Sequence, residues 1–259
     1  MFHQIEITTK CNFRCFYCAG RTMPQRHMTE ATMNDIFGRL TPGRHAVSLQ
    51  GEGEPTMHPR FWDWAERLRK AGYIPYTITN ASRIDAELAN RHLPNLGISL
   101  DTVDEVEANR IGRLKLDCVL RNVDDLLKSL GPKRLIIHTV NYGQPMDALK
   151  DYLRVHGLTR HIIQPIQPKS DYARHYQDRP VVNPPVKHAA GTCRYLSRPL
   201  MRYFDVNGKE LPCCFIKDAR DFPGVEVMRQ LMSRGDVPTV CDGCSEIPER
   251  QPMNRVVFT

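Results

Sequence analysis

The sequence predicts an α/β protein: a partial (β/α)6 barrel with parallel strands, plus a small C-terminal β-hairpin/helix domain. Three observations support this prediction. Short β-branched runs alternate with amphipathic stretches through the first two thirds of the chain. Six such units are too few for a closed eight-stranded barrel. Beyond Arg194 the alternation gives way to a hairpin pattern with an Asn-Gly turn.

The predicted elements of the barrel follow in the order strand, then helix. We expect strands at His3–Thr8, Ala46–Gln50, Pro75–Thr79, Leu96–Leu100, Arg134–Val140 and His161–Pro165. Amphipathic periodicity predicts helices at Thr29–Leu40, Pro59–Ala71, Ile84–His92, Cys118–Leu130 and Met146–Val155. Strands joined by right-handed crossovers run parallel. Ligands are therefore expected at the carboxyl ends of the strands.

The chain divides into three predicted regions: a barrel domain at 1–170, a basic proline-rich joint at 171–192, and a C-terminal domain with its tail at 193–259. The joint lies within a basic stretch, because the segment from His156 to Arg202 contains eight Lys or Arg and only two Asp. This stretch is either a solvated connector or a site for an anionic substrate. In the C-terminal region, Asn207-Gly208 predicts a hairpin turn and Val225–Ser233 one short helix.

Composition excludes several classes of protein. With 41% hydrophobic and 25% charged residues over 259 positions, the chain is typical of a soluble folded protein and not of a disordered or collagen-like one. No apolar run is long enough to span a bilayer, and the N-terminus lacks a secretory signal pattern. We therefore expect a cytoplasmic protein without a membrane partner. Its nine cysteines then stay reduced, and their clustering predicts metal ligands.

Three cysteines, Cys11, Cys15 and Cys18, directly follow the first predicted strand. Three thiolates leave a tetrahedral zinc ion one ligand short, or leave one iron of a 4Fe–4S cube open to an exogenous ligand. A zinc knuckle completed by His3 or His27 is the structural alternative. The spacing Cys-x3-Cys-x2-Cys, with Tyr17 before the last cysteine, resembles the signature of the radical S-adenosylmethionine (SAM) superfamily.

Three later segments strengthen this resemblance, each at the end of a predicted strand. Gly51-Glu52-Gly53-Glu54-Pro55 is similar to the superfamily's Gly-Gly-Glu-Pro motif, with Glu52 in place of the first glycine. Thr79-Asn80-Ala81 is similar to its Thr-Asn-Gly, and Ser99-Leu100-Asp101 ends the fourth strand. The resemblance implies that SAM is bound or lined by Tyr17, Gly53, Glu54, Asn80, Ser99, Asp101, Asn141 and Gln164.

The C-terminal cysteines form a second group. Cys193 precedes the predicted hairpin, Cys213 ends it, and Cys241 and Cys244 follow the short helix. This order resembles the SPASM or twitch domain of radical SAM enzymes, which implies a second, auxiliary 4Fe–4S cluster on these four cysteines. A zinc ribbon is the alternative. Because neighbouring residues on a strand point in opposite directions, we assign Cys213 as the ligand and leave Cys214 out.

Cys214 has two interpretations, a packed apolar thiol or a catalytic hydrogen-atom donor facing the substrate. Cys118, at the start of a predicted helix, is interpreted as packed and inert. The resemblance implies that SAM at the first cluster yields a 5′-deoxyadenosyl radical that removes a substrate hydrogen atom. An auxiliary cluster then favours a two-electron oxidation, either a dehydrogenation or a cross-link, in natural-product biosynthesis.

The expected partners follow from this chemistry. They are a small-molecule or short peptide substrate, anionic if the basic stretch binds it, and a flavodoxin- or ferredoxin-type electron donor. The enzymatic alternatives are a radical epimerase that uses Cys214 and a peptide (RiPP) maturase. The non-enzymatic alternative is a zinc-stabilised nucleic-acid-binding protein. Aromatic side chains are not interleaved with the basic residues as a stacking platform requires, so nucleic acid is disfavoured.

Overall fold

Alternating strands and helices build the first two thirds of the chain, as the sequence predicts. The computed structural model describes residues 2–167, 169, 172, 193–197, 201–216 and 222–247. The strands of this part are β1 (Phe2–Ile5), β2 (Ala46–Ser48), β3 (Ile74–Tyr76), β4 (Ile78–Thr79), β5 (Leu96–Ser99), β6 (Leu135–Asn141) and β7 (His161–Pro165). Its α-helices are α1 (Glu30–Arg39), α2 (Phe61–Lys70), α3 (Ala86–His92), α4 (Glu105–Ile111), α5 (Leu116–Leu130) and α6 (Asp147–Val155).

The strands form two sheets that meet at Thr77. One sheet has the order β3-β2-β1-β8-β9 and the other β4-β5-β6-β7. The Thr77 hydroxyl donates to the Leu49 carbonyl at 2.9 Å, and the Gly97 amide donates to the Thr77 carbonyl at 2.9 Å. The predicted strand Pro75–Thr79 is therefore split, with one half on each sheet. All pairings among β1 to β7 are parallel, which confirms the predicted α/β class.

The predicted hairpin is present, and it extends the first sheet. β8 (Met201–Phe204) pairs antiparallel with β9 (Glu210–Leu211) around the Asn207-Gly208 turn, where Gly208 has φ +84°. β8 also pairs in parallel with β1, in register from Phe2↔Met201 to Ile5↔Phe204. A strand pattern does not identify its partner. The sequence therefore placed this strand in the C-terminal domain and not against the barrel.

Helix caps explain where the observed helices differ from the predicted ones. The Asp85 carboxylate accepts from the Leu88 amide at 2.9 Å, so α3 begins after Asp85 and not at Ile84. Helix α4, which the sequence analysis missed, begins after Asp104, whose carboxylate accepts from the Glu107 amide at 2.7 Å. Two further helices lie in the C-terminal region, α7 (Arg194–Ser197) and α8 (Val225–Arg234).

Two clusters of buried apolar side chains form the interior. The larger lies between the strands and the surrounding helices and includes Ile5, Val47, Leu68 and Ile137. The smaller surrounds the four C-terminal cysteines and includes Met228. No helix in the described part of the chain is long and apolar enough to cross a membrane. The predicted tail beyond 247 and the predicted joint, apart from Tyr172, lie outside the described residues.

Candidate active site

The loop that carries Cys11, Cys15 and Cys18 leaves the carboxyl end of β1 and is anchored on the junction between α4 and α5. The Arg14 amide donates to the Gly112 carbonyl at 2.9 Å, and the Phe16 amide donates to the Ile111 carbonyl at 3.0 Å. Gly112 has φ +100°, and a Cβ there would lie 2.3 Å from the Arg14 carbonyl oxygen. The close approach of the loop therefore requires glycine at this position.

The three thiols of this loop are buried or half-buried. Burial raises the pKa of Cys11 to about 11 and that of Cys18 well above its ordinary value. Thiols in such surroundings become thiolates when a cationic group binds and replaces their protons. Three adjacent thiols of this kind are suitable donors for iron. Among the described residues, no group of three or more His, Cys, Asp or Glu is arranged to hold a single metal ion.

The two histidines considered as a fourth zinc ligand pack against other rings. His3 lies edge-on to His45 with ring centroids 5.8 Å apart, and His27 lies edge-on to His58 at 5.0 Å. His3 is fully buried within β1.

Glu54 lies buried beside the cysteine loop and joins it to the end of the split third strand. Its carboxylate accepts from the Thr56 hydroxyl and the Thr79 hydroxyl, both at 2.6 Å, and from the Asn80 amide at 2.7 Å. Its own amide donates to the Lys10 carbonyl at 2.8 Å. The carboxylate is therefore fixed in one orientation by the strand ends around it.

Two close backbone approaches hold the motifs around Glu54. A Cβ on Gly53 would lie 2.5 Å from the Thr8 carbonyl oxygen, so only glycine lets this loop meet the end of β1. Ala81 has φ +58°, a conformation that favours glycine, and it occupies the glycine position of the Thr-Asn-Gly resemblance. The Asn80 side chain donates to Asn12 at 3.0 Å, within the cysteine loop.

Tyr17 belongs to a buried polar network at the ends of β5 and β6. Its hydroxyl donates to Asp101 and accepts from Arg113 at 2.9 Å. Arg113 forms an ion pair with Asp101 at 3.0 Å and donates to the Ser99 hydroxyl at 2.8 Å. Asp101 also accepts from the Val140 amide at 2.8 Å. Ser99 and Asp101 thus lie around Arg113, which no sequence motif identified.

A cleft of about 380 Å³ opens next to Tyr17 and Cys18. Gln164 lines it, while Asn141 is exposed and is not among the described lining residues. The remaining lining residues come from the loop after β2, from β6, from the end of β7 and the segment after it, and from the C-terminal region: Gly51, Glu52, Val140, Pro165, Ile166, Gln167, Tyr172, Phe215, Ser245 and Glu246.

Glu52, which departs from the Gly-Gly-Glu-Pro pattern, reaches into this cleft. Its carboxylate accepts from the Tyr172 hydroxyl at 3.0 Å, from the Gly20 amide at 3.2 Å and from the Cys18 thiol at 3.3 Å. Burial, and after it the Glu52 charge, raises the pKa of Tyr172 well above its ordinary value. Tyr172 therefore stays a neutral hydrogen-bond donor at the wall of the cleft.

A second cavity brings together the four predicted cysteines of the C-terminal region. Cys193, Cys213, Cys241 and Cys244 all line it and are buried, whereas Cys214 is half-buried and is not among the lining residues. Burial raises the pKa of Cys213, Cys241 and Cys244 to about 12. These side chains enclose a cavity of about 10 Å³.

The chain belongs to the radical SAM superfamily. The family model for the radical SAM superfamily matches residues 5–155, which is more than half of the chain and includes Cys11, Cys15, Cys18 and Glu54.

Individual relatives support the same family. Neomycin C epimerase of Streptomyces fradiae is 24% identical over 153 residues, which cover 59% of this chain and 50% of that protein. The chain thus spans about half the length of this curated relative. The fold of the present chain is similar to that of Streptococcus suis SuiB bound to S-adenosylmethionine. The two are 14% identical with a TM-score of 0.64, and the match covers 93% of this chain and 66% of SuiB. The fold is also similar to that of BtrN in complex with AdoMet and 2-DOIA. These two chains are 13% identical with a TM-score of 0.52, and the match covers 90% of this chain and 87% of BtrN.

Proposed function

We propose that this radical SAM enzyme removes a hydrogen atom from its substrate and completes a two-electron oxidation with the help of an auxiliary 4Fe–4S cluster in the C-terminal region. The single observation that favours oxidation is the shared cavity of Cys193, Cys213, Cys241 and Cys244. Four thiols satisfy a cluster completely, and such a cluster is suited to electron transfer and not to binding SAM.

The N-terminal site would hold a cluster with three thiols and leave one iron open. Cys11, Cys15 and Cys18 are the donors, on a loop that Gly112 anchors. Reductive cleavage of SAM at the open iron supplies the 5′-deoxyadenosyl radical that takes the substrate hydrogen. Glu54 lies at the loop with its carboxylate already fixed by Thr79 and Asn80, and we propose that it orients the amino group of SAM.

The residues of the chain then position the reactants and exclude water. Tyr17 is held by Asp101 and Arg113, so its ring stays at the wall of the cleft next to Cys18. The Tyr142 ring stacks on it with centroids 5.9 Å apart. Gln164 and Gln167 also line the cleft. A cleft with aromatic walls keeps water from a reactive radical.

The substrate of this proposal is a small molecule or a short peptide that enters the cleft. The described lining includes two carboxylates, Glu52 and Glu246, and no Lys or Arg. Of the eight basic residues that predicted an anionic substrate, four lie outside the described part of the chain: Arg174, Arg179, Lys187 and Arg198. The cleft as described is therefore better suited to a hydroxyl- or amine-bearing substrate than to an anion. A flavodoxin- or ferredoxin-type protein would supply the reducing electron.

A double variant, Cys241→Ala with Cys244→Ala, tests the proposed oxidation. With dithionite as reductant, the reconstituted variant should cleave SAM at the wild-type rate. The wild type, tested on a panel of aminocyclitols and short peptides, should form a product about two mass units lighter than its substrate. The double variant should not form this product. Cys118→Ala is the matched control, because Cys118 lies on α5 and lines neither the cleft nor the cavity of the C-terminal cysteines. An undiminished yield of oxidised product in the double variant would contradict the proposal.

Epimerisation is the second candidate, and one observation favours it. Cys214 is half-buried and lies near Tyr172, a residue of the cleft. A charge on Cys214 raises the pKa of Tyr172, after the larger effects of burial and of Glu52. An epimerase that uses Cys214 as hydrogen-atom donor would give a product of unchanged mass in water and one added deuterium in D2O. Cys214→Ala should then abolish the product. Oxidation predicts that Cys214→Ala is tolerated.

A further inference from the structure

Ala81 holds a backbone conformation that is costly for a residue with a side chain. It lies two residues after β4, is fully buried and has φ +58°. Among the described residues, Lys115 is the only other non-glycine residue with a positive φ. In this conformation the Cβ of an L-residue comes too close to the following carbonyl oxygen. The surrounding structure must therefore stabilise Ala81 in it.

Asn122, on α5, makes a contact that can do so. Its side-chain amide donates to the Ala81 carbonyl at 2.7 Å, across 41 positions of the sequence. A buried backbone carbonyl requires a hydrogen-bond partner, and this one comes from a neighbouring helix. Because the bond fixes the direction in which the carbonyl points, Asn122 favours the left-handed conformation of Ala81.

The backbone at Ala81 connects Asn122 to Glu54. The Ala81 amide donates to the Thr79 hydroxyl at 3.1 Å, and this hydroxyl donates its own hydrogen to the Glu54 carboxylate at 2.6 Å. The Asn80 amide donates to the other oxygen of that carboxylate at 2.7 Å. Both bonds to Glu54 therefore depend on the path of the backbone from Thr79 to Ala81.

We propose that Asn122 is a positioning residue for SAM, which holds Ala81 in the left-handed conformation and thereby keeps the Glu54 carboxylate in its orientation. This inference rests on the proposed function, because it takes Glu54 to orient the amino group of SAM. Asn122 is not among the described residues that line the cleft, and it acts through the backbone of the loop.

The test measures the affinity for SAM and not the reaction. The full chain is reconstituted with iron and sulfide, left without reductant so that SAM is not cleaved, and studied by equilibrium dialysis with SAM. Asn122→Ala should weaken SAM binding about fivefold, the factor expected for one hydrogen bond, with the iron content unchanged. Asn122→Asp keeps the size of the side chain but removes the amide donor. It should show a similar loss, and it replaces Asn122→Ala if that variant does not fold.

Glycine at position 81 distinguishes positioning from a general loss of stability. Ala81→Gly accepts a positive φ without the cost of a Cβ, so it should make Asn122 dispensable. The double variant, Asn122→Ala with Ala81→Gly, should bind SAM within about twofold of Ala81→Gly alone. A substitution that only destabilises the fold would weaken SAM binding equally with alanine or glycine at position 81.

Ser129→Ala is the matched control. Ser129 also lies on α5, is half-buried, and donates from its side chain to a backbone carbonyl, that of Ala86, at 3.1 Å. Its loss should leave the affinity for SAM unchanged, and a loss of affinity equal to that of Asn122→Ala would overturn the role of Asn122.

Two further results separate this inference from the proposed function. A wild type that does not bind SAM, or a Glu54→Ala variant with wild-type affinity, overturns the proposed SAM site and with it the role of Asn122. A weakened Glu54→Ala overturns the role of Asn122 alone if the folded Asn122 variants bind SAM as the wild type does. An equal loss from Asn122→Ala with either residue at position 81 has the same consequence.

Discussion

Arg113 and Asp101 form a buried ion pair, 3.0 Å apart, beneath the tyrosine that precedes the last cysteine of the N-terminal loop. The Asp101 side chain is fully buried and that of Arg113 is 10% exposed. Both groups also bond to Tyr17, so the pair fixes the ring that lines the cleft. The geometry of the active site therefore depends on an arginine that belongs to no sequence motif.

Removal of Arg113 should destabilise the protein strongly. Arg113→Met leaves the Asp101 carboxylate buried without its partner, and we expect a loss of about 3–5 kcal/mol in the free energy of unfolding. The matched control is Arg121→Met, which breaks the exposed pair with Asp117 on α5 and should cost about 0–1 kcal/mol. Urea denaturation of the iron-free chain measures both. Equal losses in the two variants would show that the buried pair does not have this role.

Gly112 should control how well the N-terminal loop holds iron. Gly112→Ala places a Cβ against the Arg14 carbonyl and should push the loop away, so iron bound by Cys11, Cys15 and Cys18 should fall. Gly72→Ala is the matched control, because Gly72 also has a positive φ, +87°, but has open space around the added Cβ. Both variants bear a backbone cost of about 1–3 kcal/mol. Iron analysis should show a loss in Gly112→Ala only, and equal iron content in both would contradict the anchoring role.

Glu54 should be needed for SAM binding. Loss of one charge-assisted hydrogen bond, worth about 1.5–3 kcal/mol, should weaken SAM binding about tenfold or more in Glu54→Ala. Equilibrium dialysis with the reconstituted protein measures this affinity, and iron analysis checks that the clusters remain. Glu52→Ala is the comparison. If Glu52→Ala loses affinity and Glu54→Ala does not, the motif is misaligned and Glu52 is the residue that contacts SAM.

His3 should make the stability of the iron-free chain depend on pH. Burial, and then the nearby Arg202 charge, lowers the pKa of His3 from 6.5 to about 4. At pH values between about 4 and 6.5, His3 is protonated in the unfolded chain and neutral in the folded chain. The free energy of unfolding should therefore fall as the pH drops from 6.5 to about 4, by at most about 1.4 kcal/mol per pH unit from this residue.

The His3→Leu variant checks this cause. Neither ring nitrogen of His3 has a hydrogen-bond partner among the described residues, so leucine removes no such bond. Its unfolding free energy should depend less on pH over this window. A pH dependence identical to that of the wild type would show that another group is responsible.

The sequence predicted the parallel strands because their β-branched runs and helix caps are local signals. Pro75–Thr79 was predicted as one strand, since nothing in five residues shows that Thr77 divides it between two sheets. The pairing of β8 with β1 depends on residues about 200 positions apart, and no local pattern contains it. Arg113 escaped notice for the same reason: a charged residue is unremarkable in sequence until the fold buries it.

The central claim is that three N-terminal cysteines hold the SAM-cleaving cluster while four C-terminal cysteines hold another. Iron, sulfide and 5′-deoxyadenosine are to be measured in the wild type and in the variant with Cys11, Cys15 and Cys18 changed to Ala. The wild type should bind about eight irons and cleave SAM. The variant should keep about four irons and form no 5′-deoxyadenosine. A variant that still cleaves SAM, or that keeps no iron at all, would contradict the claim.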